Sequence, residues 1–113
     1  MNRATALIGI ILAGIPTVAL AKDIRFWNLT AHTITSLQLS PAGKNLWGHN
    51  QTDNDRDRTV DHDERLKITD IGPGIYDVKL ADQSGRICVV PNIQVNAGGI
   101  FVIEEANLKD CGK

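Results

Sequence analysis

Apolar residues recur at every second position in a series of short runs, and no stretch keeps a period of 3.6 beyond two turns. That alternation most constrains the fold, because a period of two buries one face of a strand and wets the other. The first run carries Ile24, Phe26 and Leu29, with Trp27 on its other face. Ile34, Leu37 and Leu39 form a second, closed by Ser40-Pro41-Ala42-Gly43, while Leu66 and Ile68 mark a third that stops at Gly72-Pro73-Gly74. Tyr76, Val78 and Leu80 alternate in a fourth, and Asp82-Gln83-Ser84-Gly85 reads as a hairpin turn into Ile87-Cys88-Val89-Val90. Ile93 and Val95 follow Pro91, whose missing N–H predicts an edge strand or a bulge. Ala97-Gly98-Gly99 turns the chain into Ile100-Phe101-Val102-Ile103, a largely buried last strand. The pattern predicts an all-β single domain: a small antiparallel β-sandwich or open barrel of about 6–7 strands.

Residues 1–21 read as a secretory signal peptide. Arg3 supplies the charged start, Ala6 to Ile15 the apolar stretch, Pro16 the break, and Ala19-Leu20-Ala21 a small-x-small cleavage site. The apolar run is too short for a stable membrane span. The mature chain is therefore expected to begin at Lys22, in the periplasm, with no membrane anchor and one β domain over 22–113. Cys88 and Cys111 are the only cysteines, and an oxidising compartment predicts that they pair. On the chain-entropy model such a bridge contributes about 3 kcal/mol. No Cys-x-x-Cys occurs, which argues against a thiol-redox activity.

The charge is concentrated. Between Asp53 and Glu64 stand six acids and only two bases, Arg56 and Arg58, for a local charge of −4, whereas the whole chain carries −1. No basic patch interleaved with aromatics appears, so nucleic acid is not an expected partner. Oxygen donors occupy the first, third, fifth, seventh, ninth and twelfth places of the window: Asp53, Asp55, Asp57, Thr59 through its carbonyl, Asp61 and Glu64, with Asp63 in reserve. That is the ligand spacing of an EF-hand calcium loop. Two departures matter. The sixth place, where such a loop needs Gly, holds Arg58, and the flanks alternate like strands instead of forming helices. The expectation is an acidic loop, 49–64, carried on a β scaffold as its longest connection. Its ligand would be a hard cation: Ca²⁺, or a trivalent lanthanide, which gains more from each added carboxylate. A loop lacking its Gly would not close fully around the ion, so a metal-bridged homodimer is a further expectation. The alternative is a metal-independent protein-interaction or inhibitor module, in which the same loop docks on a basic surface and salt weakens the contact.

Asn28-Leu29-Thr30, Ile34 and Leu37, Ser40-Pro41, Trp47-Gly48, the strand Tyr76-Asp77-Val78 and the two late cysteines occur in an order that resembles a family of small exported bacterial β proteins. The resemblance covers most of the mature chain, and within that family it is to the landiscernin-like lanthanide-binding proteins of methylotrophic bacteria. It implies a β-sheet fold without catalysis and an exported lanthanide binder. Other members of the family are poorer in acids after Trp-Gly, so this chain departs from the pattern at Asp53 to Glu64. The resemblance assigns no individual ligand.

Weaker signals remain. His49 and His62 with Asp61 or Asp63 have the chemistry for Zn²⁺ or Cu²⁺ but no recognised spacing, and His32 reads as a surface residue. Ser36, Ser40 and Ser84 lack a nucleophile-elbow context, and Asp77 and Asp82 read as surface acids, so no enzyme is expected. Trp27 and Trp47 read as core plugs, with a ligand platform as the alternative. Asn28-Leu29-Thr30 and Asn50-Gln51-Thr52 match the glycosylation pattern, which the bacterial resemblance makes incidental.

Overall fold

Alternation becomes seven strands: β1 Arg25–Leu29, β2 Ile34–Pro41, β3 Arg65–Lys67, β4 Gly74–Asp82, β5 Ile87–Val95, β6 Ile100–Glu104 and β7 Asp110–Gly112. They belong to a computed structural model that describes residues 22–113; the expected signal peptide, 1–21, lies outside the described residues. Short 3-10 turns at Gln51–Asn54 and Glu105–Asn107 complete the elements. One sheet has the order β3-β1-β6 and the other β2-β4-β5-β7. No helix among the described residues is long and apolar enough to cross a membrane.

The core lies between the two sheets. Phe26, Leu66, Phe101 and Ile103 come from one, and Leu37, Leu39, Val78, Leu80, Cys88, Val90 and Val95 from the other. The Phe26 and Phe101 rings sit side by side at 5.3 Å between centroids, on strands that pair in register. Burying one such ring contributes about 3 kcal/mol, so this pair closes the middle of the three-stranded sheet.

Three details differ from the alternation read off the sequence. Every pairing is antiparallel except β1 with β6, which run parallel. In β1 the inward row continues through Asn28, not Leu29, so a polar side chain enters the core. The two runs around Pro91 form one nine-residue strand, with the register shift falling between Tyr76 and Val78 on β4. Asn92 adopts φ 57° there, and its N–H donates to Asp77 Oδ1 at 3.1 Å. The bulge expected at Pro91 is thus held by a carboxylate from the neighbouring strand, and Asp77 is a fastener as well as a surface acid. A second shift, between Ile34 and Ser36, brings both Ile34 and Leu37 inward although they are an odd number of residues apart.

β7 was not visible in the alternation, because its three residues are all exposed. Cys88 on β5 stands directly opposite Cys111 on β7, and the two form the expected disulfide. At the same end of β5, Arg86 joins buried Asp82 to Glu105, so Asp82 belongs to the interior and not to the surface.

Candidate functional site

The long connection from β2 to β3 carries the acidic window, and most of it is tied down. Its entry is fastened by Ser40, whose buried Oγ accepts the Leu46 N–H at 2.8 Å. Gly48 follows, its N–H on the Leu39 carbonyl at 2.9 Å and its own carbonyl accepting from Gln38 Nε2 at 3.0 Å. Trp47 lies against the Lys79 ammonium at 4.5 Å from ring centre to Nζ. It is half-buried on the outer face, not a core plug, because a cation at the ring face is favourable where solvent still reaches it.

Two Asn-x-Thr tripeptides then do the same job twice. Asn28 Oδ1 accepts from Thr30 N and Oγ1 at 2.9 and 2.7 Å, and Asn50 Oδ1 accepts from Thr52 N and Oγ1 at 3.0 and 2.9 Å. Each is an Asx turn, in which a side-chain oxygen replaces a backbone carbonyl as the turn's acceptor. The two amides then reach outward in different ways. Asn28 Nδ2 donates to the carbonyls of Val60 and His32, while Asn50 Oδ1 also accepts the Leu37 N–H. Asn28, Thr30 and Thr52 are completely buried, and Asn50 is half-buried with its Oδ1 taken up by the turn.

Between these clamps the acids fall into two groups. Gln51 and Asn54 lock the start of the window: Gln51 exchanges hydrogen bonds with Thr69 N and O at 2.9 Å each, and Asn54 Nδ2 donates to the Lys67 carbonyl at 2.9 Å. Val60 locks its middle. It is fully buried and exchanges both backbone hydrogen bonds with Ile34 at 2.9 Å. Only residues 55–59 project freely between Asn54 and Val60.

On the far side of Val60 the acids are already engaged. Asp61 Oδ1 accepts from Thr33 Oγ1 at 3.0 Å, and Glu64 Oε1 accepts the Asp61 N–H at 2.8 Å. Asp63 Oδ1 accepts the Trp27 indole N–H at 2.9 Å, and Arg65 stacks on that indole at 4.0 Å. Trp27, like Trp47, is half-buried on an outer face and not in the core. On the near side Asp53 and Asp57 are exposed, and Asp55 Oδ2 accepts the Asp57 N–H at 3.0 Å. No hydrogen bond among the described residues uses the Thr59 carbonyl.

Among the described residues, no three His, Cys, Asp or Glu side chains stand together as a metal cage. The seven residues expected as ligands are thus not brought to one point: Asp53 sits in the anchored turn Gln51–Asn54, Asp55, Asp57 and Thr59 lie in the projecting stretch, and Asp61, Asp63 and Glu64 brace its base. The buried Val60, paired with Ile34, fixes the division. The histidines separate as well. His62 Nδ1 meets the Thr30 carbonyl at 2.7 Å, and His49 lies between Thr69 Oγ1 at 3.3 Å and Asp70 at 3.7 Å.

One backbone value bears directly on the window. Arg58 adopts φ 59°, the left-handed conformation for which the sixth place of a calcium loop employs Gly. The turn is closed by the Arg58 N–H on the Asp55 carbonyl at 3.1 Å. A side chain held there costs about 1 kcal/mol relative to Gly. Arg58→Gly is accordingly expected to raise stability by about 1 kcal/mol, measured as a higher urea midpoint with an unchanged slope.

The two sheets and the bridge define the class: a disulfide-stapled all-β domain with an anchored acidic loop. No protein-family model, curated protein or solved structure matches the chain.

Proposed function

We propose that this is an exported, non-enzymatic binding protein for a hard cation, with lanthanide(III) favoured over Ca²⁺, and that the loop tip carries the site. The observation that carries the proposal is Arg58 at φ 59°, between Asp57 and Thr59. The one residue type that argued against a calcium-type turn occupies that turn's backbone conformation nonetheless. In this reading Asp53, Asp55 and Asp57 rotate toward the ion, the Thr59 carbonyl joins them, and Asp61, Asp63 and Glu64 keep the base in place. Three carboxylates and a carbonyl leave room for water or for a second copy in the shell of a cation that takes six to eight oxygens. The order of the Asn-x-Thr, Ser-Pro and Trp-Gly motifs, similar to that of landiscernin-like proteins, supports the same reading. So does the apolar leader sequence, which supports export to the periplasm.

Terbium luminescence excited through tryptophan tests the proposal, in the presence of excess calcium. Trp27 lies against Asp63 at the loop's base and serves as the donor. Saturable emission is expected from the parent protein and not from the Asp55→Asn, Asp57→Asn double variant, whose thermal unfolding should match the parent because both positions lie on the projecting tip. A calorimetric titration with the same ion checks for a site remote from tryptophan. Silence in both experiments rejects the cation. Association with a basic protein that weakens with salt and ignores chelators would establish the interaction-module alternative, which the exposed Asp53 and Asp57 side chains favour.

A further inference from the structure

The two ends of the disulfide live in different surroundings. Cys88 is completely buried in the core between the sheets, whereas Cys111 and both its strand neighbours are exposed. β7 touches the sheet through only three register pairs, Ile87 with Gly112, Cys88 with Cys111 and Val89 with Asp110. The chain just before it is held independently. Leu108 packs on the core, and Glu105 accepts from the Arg86 guanidinium at 2.6 Å and from the Ala31 N–H at 2.9 Å. Past Leu108, the bridge is the one covalent tie.

Thiol–disulfide exchange is an in-line displacement, so the attacking thiolate must approach one sulfur from the side opposite the other. Cys88 is enclosed in the apolar core, whereas Cys111 belongs to an exposed edge strand that an attacking thiolate can reach. We infer that Cys111 is the exchange site of this chain, the sulfur that a dithiol oxidoreductase engages, and that reduction there frees β7 while both sheets stay folded. The chain is the substrate of this chemistry and not its catalyst, in keeping with the lack of Cys-x-x-Cys.

Reduction takes two displacements. The partner's thiolate forms a bond to Cys111 Sγ, the Cys88–Cys111 bond breaks, and Cys88 leaves as a thiolate that takes the proton of the partner's second thiol. The partner's second thiolate then attacks its own sulfur in the mixed disulfide and expels the Cys111 thiolate, which is protonated in turn. Two electrons pass from the dithiol to this protein, and the partner is left with a disulfide. The reverse sequence installs the bridge, with Cys111 again carrying the mixed disulfide. Because Cys88 is part of the core in either state, the two sheets need not wait for the bridge. Release uncovers the backbone edge of β5 at Ile87–Val89, where Ile87 is already 48% exposed, while the Cys88 side chain stays packed in the core cluster.

Glutathione serves as the probe. The oxidised protein is incubated with it under native conditions, and adducts are mapped by mass spectrometry; a second sample is reduced with dithiothreitol and pulsed with iodoacetamide. The glutathione adduct is expected on Cys111. After reduction, Cys111 should be alkylated at least about 100-fold faster than Cys88, since a buried thiol reacts only through opening of the fold. Amide exchange should rise in 109–113 and stay slow in β2 and β4. An adduct on Cys88, equal alkylation of the two thiols, or loss of protection across both sheets overturns the proposal, as does a bridge that resists reduction until the protein unfolds. Cys111→Ala, which alters an exposed position, gives an independent arm: Cys88 should stay unlabelled in the folded variant, and ready labelling of it rejects the asymmetry.

Discussion

Arg86→Ala is expected to destabilise the fold by about 3–5 kcal/mol, read as a fall in the urea midpoint. The Asp82 side chain is fully buried, and it is paired. Ser84 N and Oγ donate to Oδ1 at 3.0 and 2.6 Å, and Arg86 Nε donates to Oδ2 at 3.0 Å. The same guanidinium forks onto Glu105 at 2.6 and 3.2 Å, and Glu105 in turn receives the Ala31 N–H. One side chain thus joins the β4–β5 turn, the turn after β6 and the turn between β1 and β2. Removing it leaves a buried carboxylate short of its cation, which is the expensive way to break a buried pair. Arg86→Lys should recover only part of the loss, because an ammonium cannot present a planar fork to two carboxylates.

The same residues set the response to acid. Burial pushes the Asp82 carboxyl up, but hydrogen bonds from the Ser84 hydroxyl and from Arg86 outweigh it and hold the group below the usual carboxylate range. Hydrogen bonds from the Arg86 guanidinium, then from the Ala31 N–H, lower Glu105 as well. For depressed carboxyls the sign is fixed: their contribution is complete above the unfolded-state value and disappears as pH falls through the folded one. Urea midpoints should therefore decline below about pH 4, and Arg86→Ala should flatten that decline by removing the partner that depresses both groups.

How much of this was legible depends on whether the controlling contact is local. Alternation located the inward rows of β2 and β4, and Pro91 marked its bulge, because strand period and the missing N–H act on neighbouring residues; β6, expected to be largely buried, buries Phe101 and Ile103 and leaves Ile100 exposed. The β1–β6 pairing joins residues about 75 positions apart, and no local pattern distinguishes a parallel from an antiparallel partner. Asp82 read as a surface acid marking a turn; it does mark the turn, but it is buried, and the Arg86 that pairs with it is tied in turn to Glu105, far along the chain. Both tryptophans are apolar enough for a core, yet Arg65 and Lys79 hold them on outer faces. The acids of the window were all visible, but their division into tip and base was not, since it is imposed by Val60 pairing with Ile34 on a distant strand. A signal for the clamps did exist: Asn-x-Thr occurs twice, at 28 and at 50, and a repeated tripeptide that can form an Asx turn has a structural use before it has a glycan. Asn28, Ser40, Gly48 and Asp77 likewise each fasten a turn or the long connection.

Asn28→Ala should cost about 3–4 kcal/mol, because it removes a donor shared by two carbonyls and the acceptor of the Thr30 turn at a site with no access to water. The loss should have a direction. The Asn28 backbone also accepts from Asp63 N and donates to the Glu64 carbonyl, so the residue holds both ends of the stretch 60–64. Native-state amide exchange is therefore expected to accelerate first at Val60, Asp63 and Ile34, before β4 and β5 respond. Asn28→Asp divides the two halves of the clamp: it keeps an oxygen for Thr30 but loses the donor to Val60 and sets a buried carboxylate beside two carbonyls. It should be worse than alanine at neutral pH and should improve as acid protonates it, the reverse of the parent's response. If the acidic window instead keeps its protection in both variants, its order comes from within the loop, and Asn28 is not its clamp. If protection disappears there first, the scaffold holds the loop before any ligand arrives, and an ion would bind at the tip without having to order the chain around it.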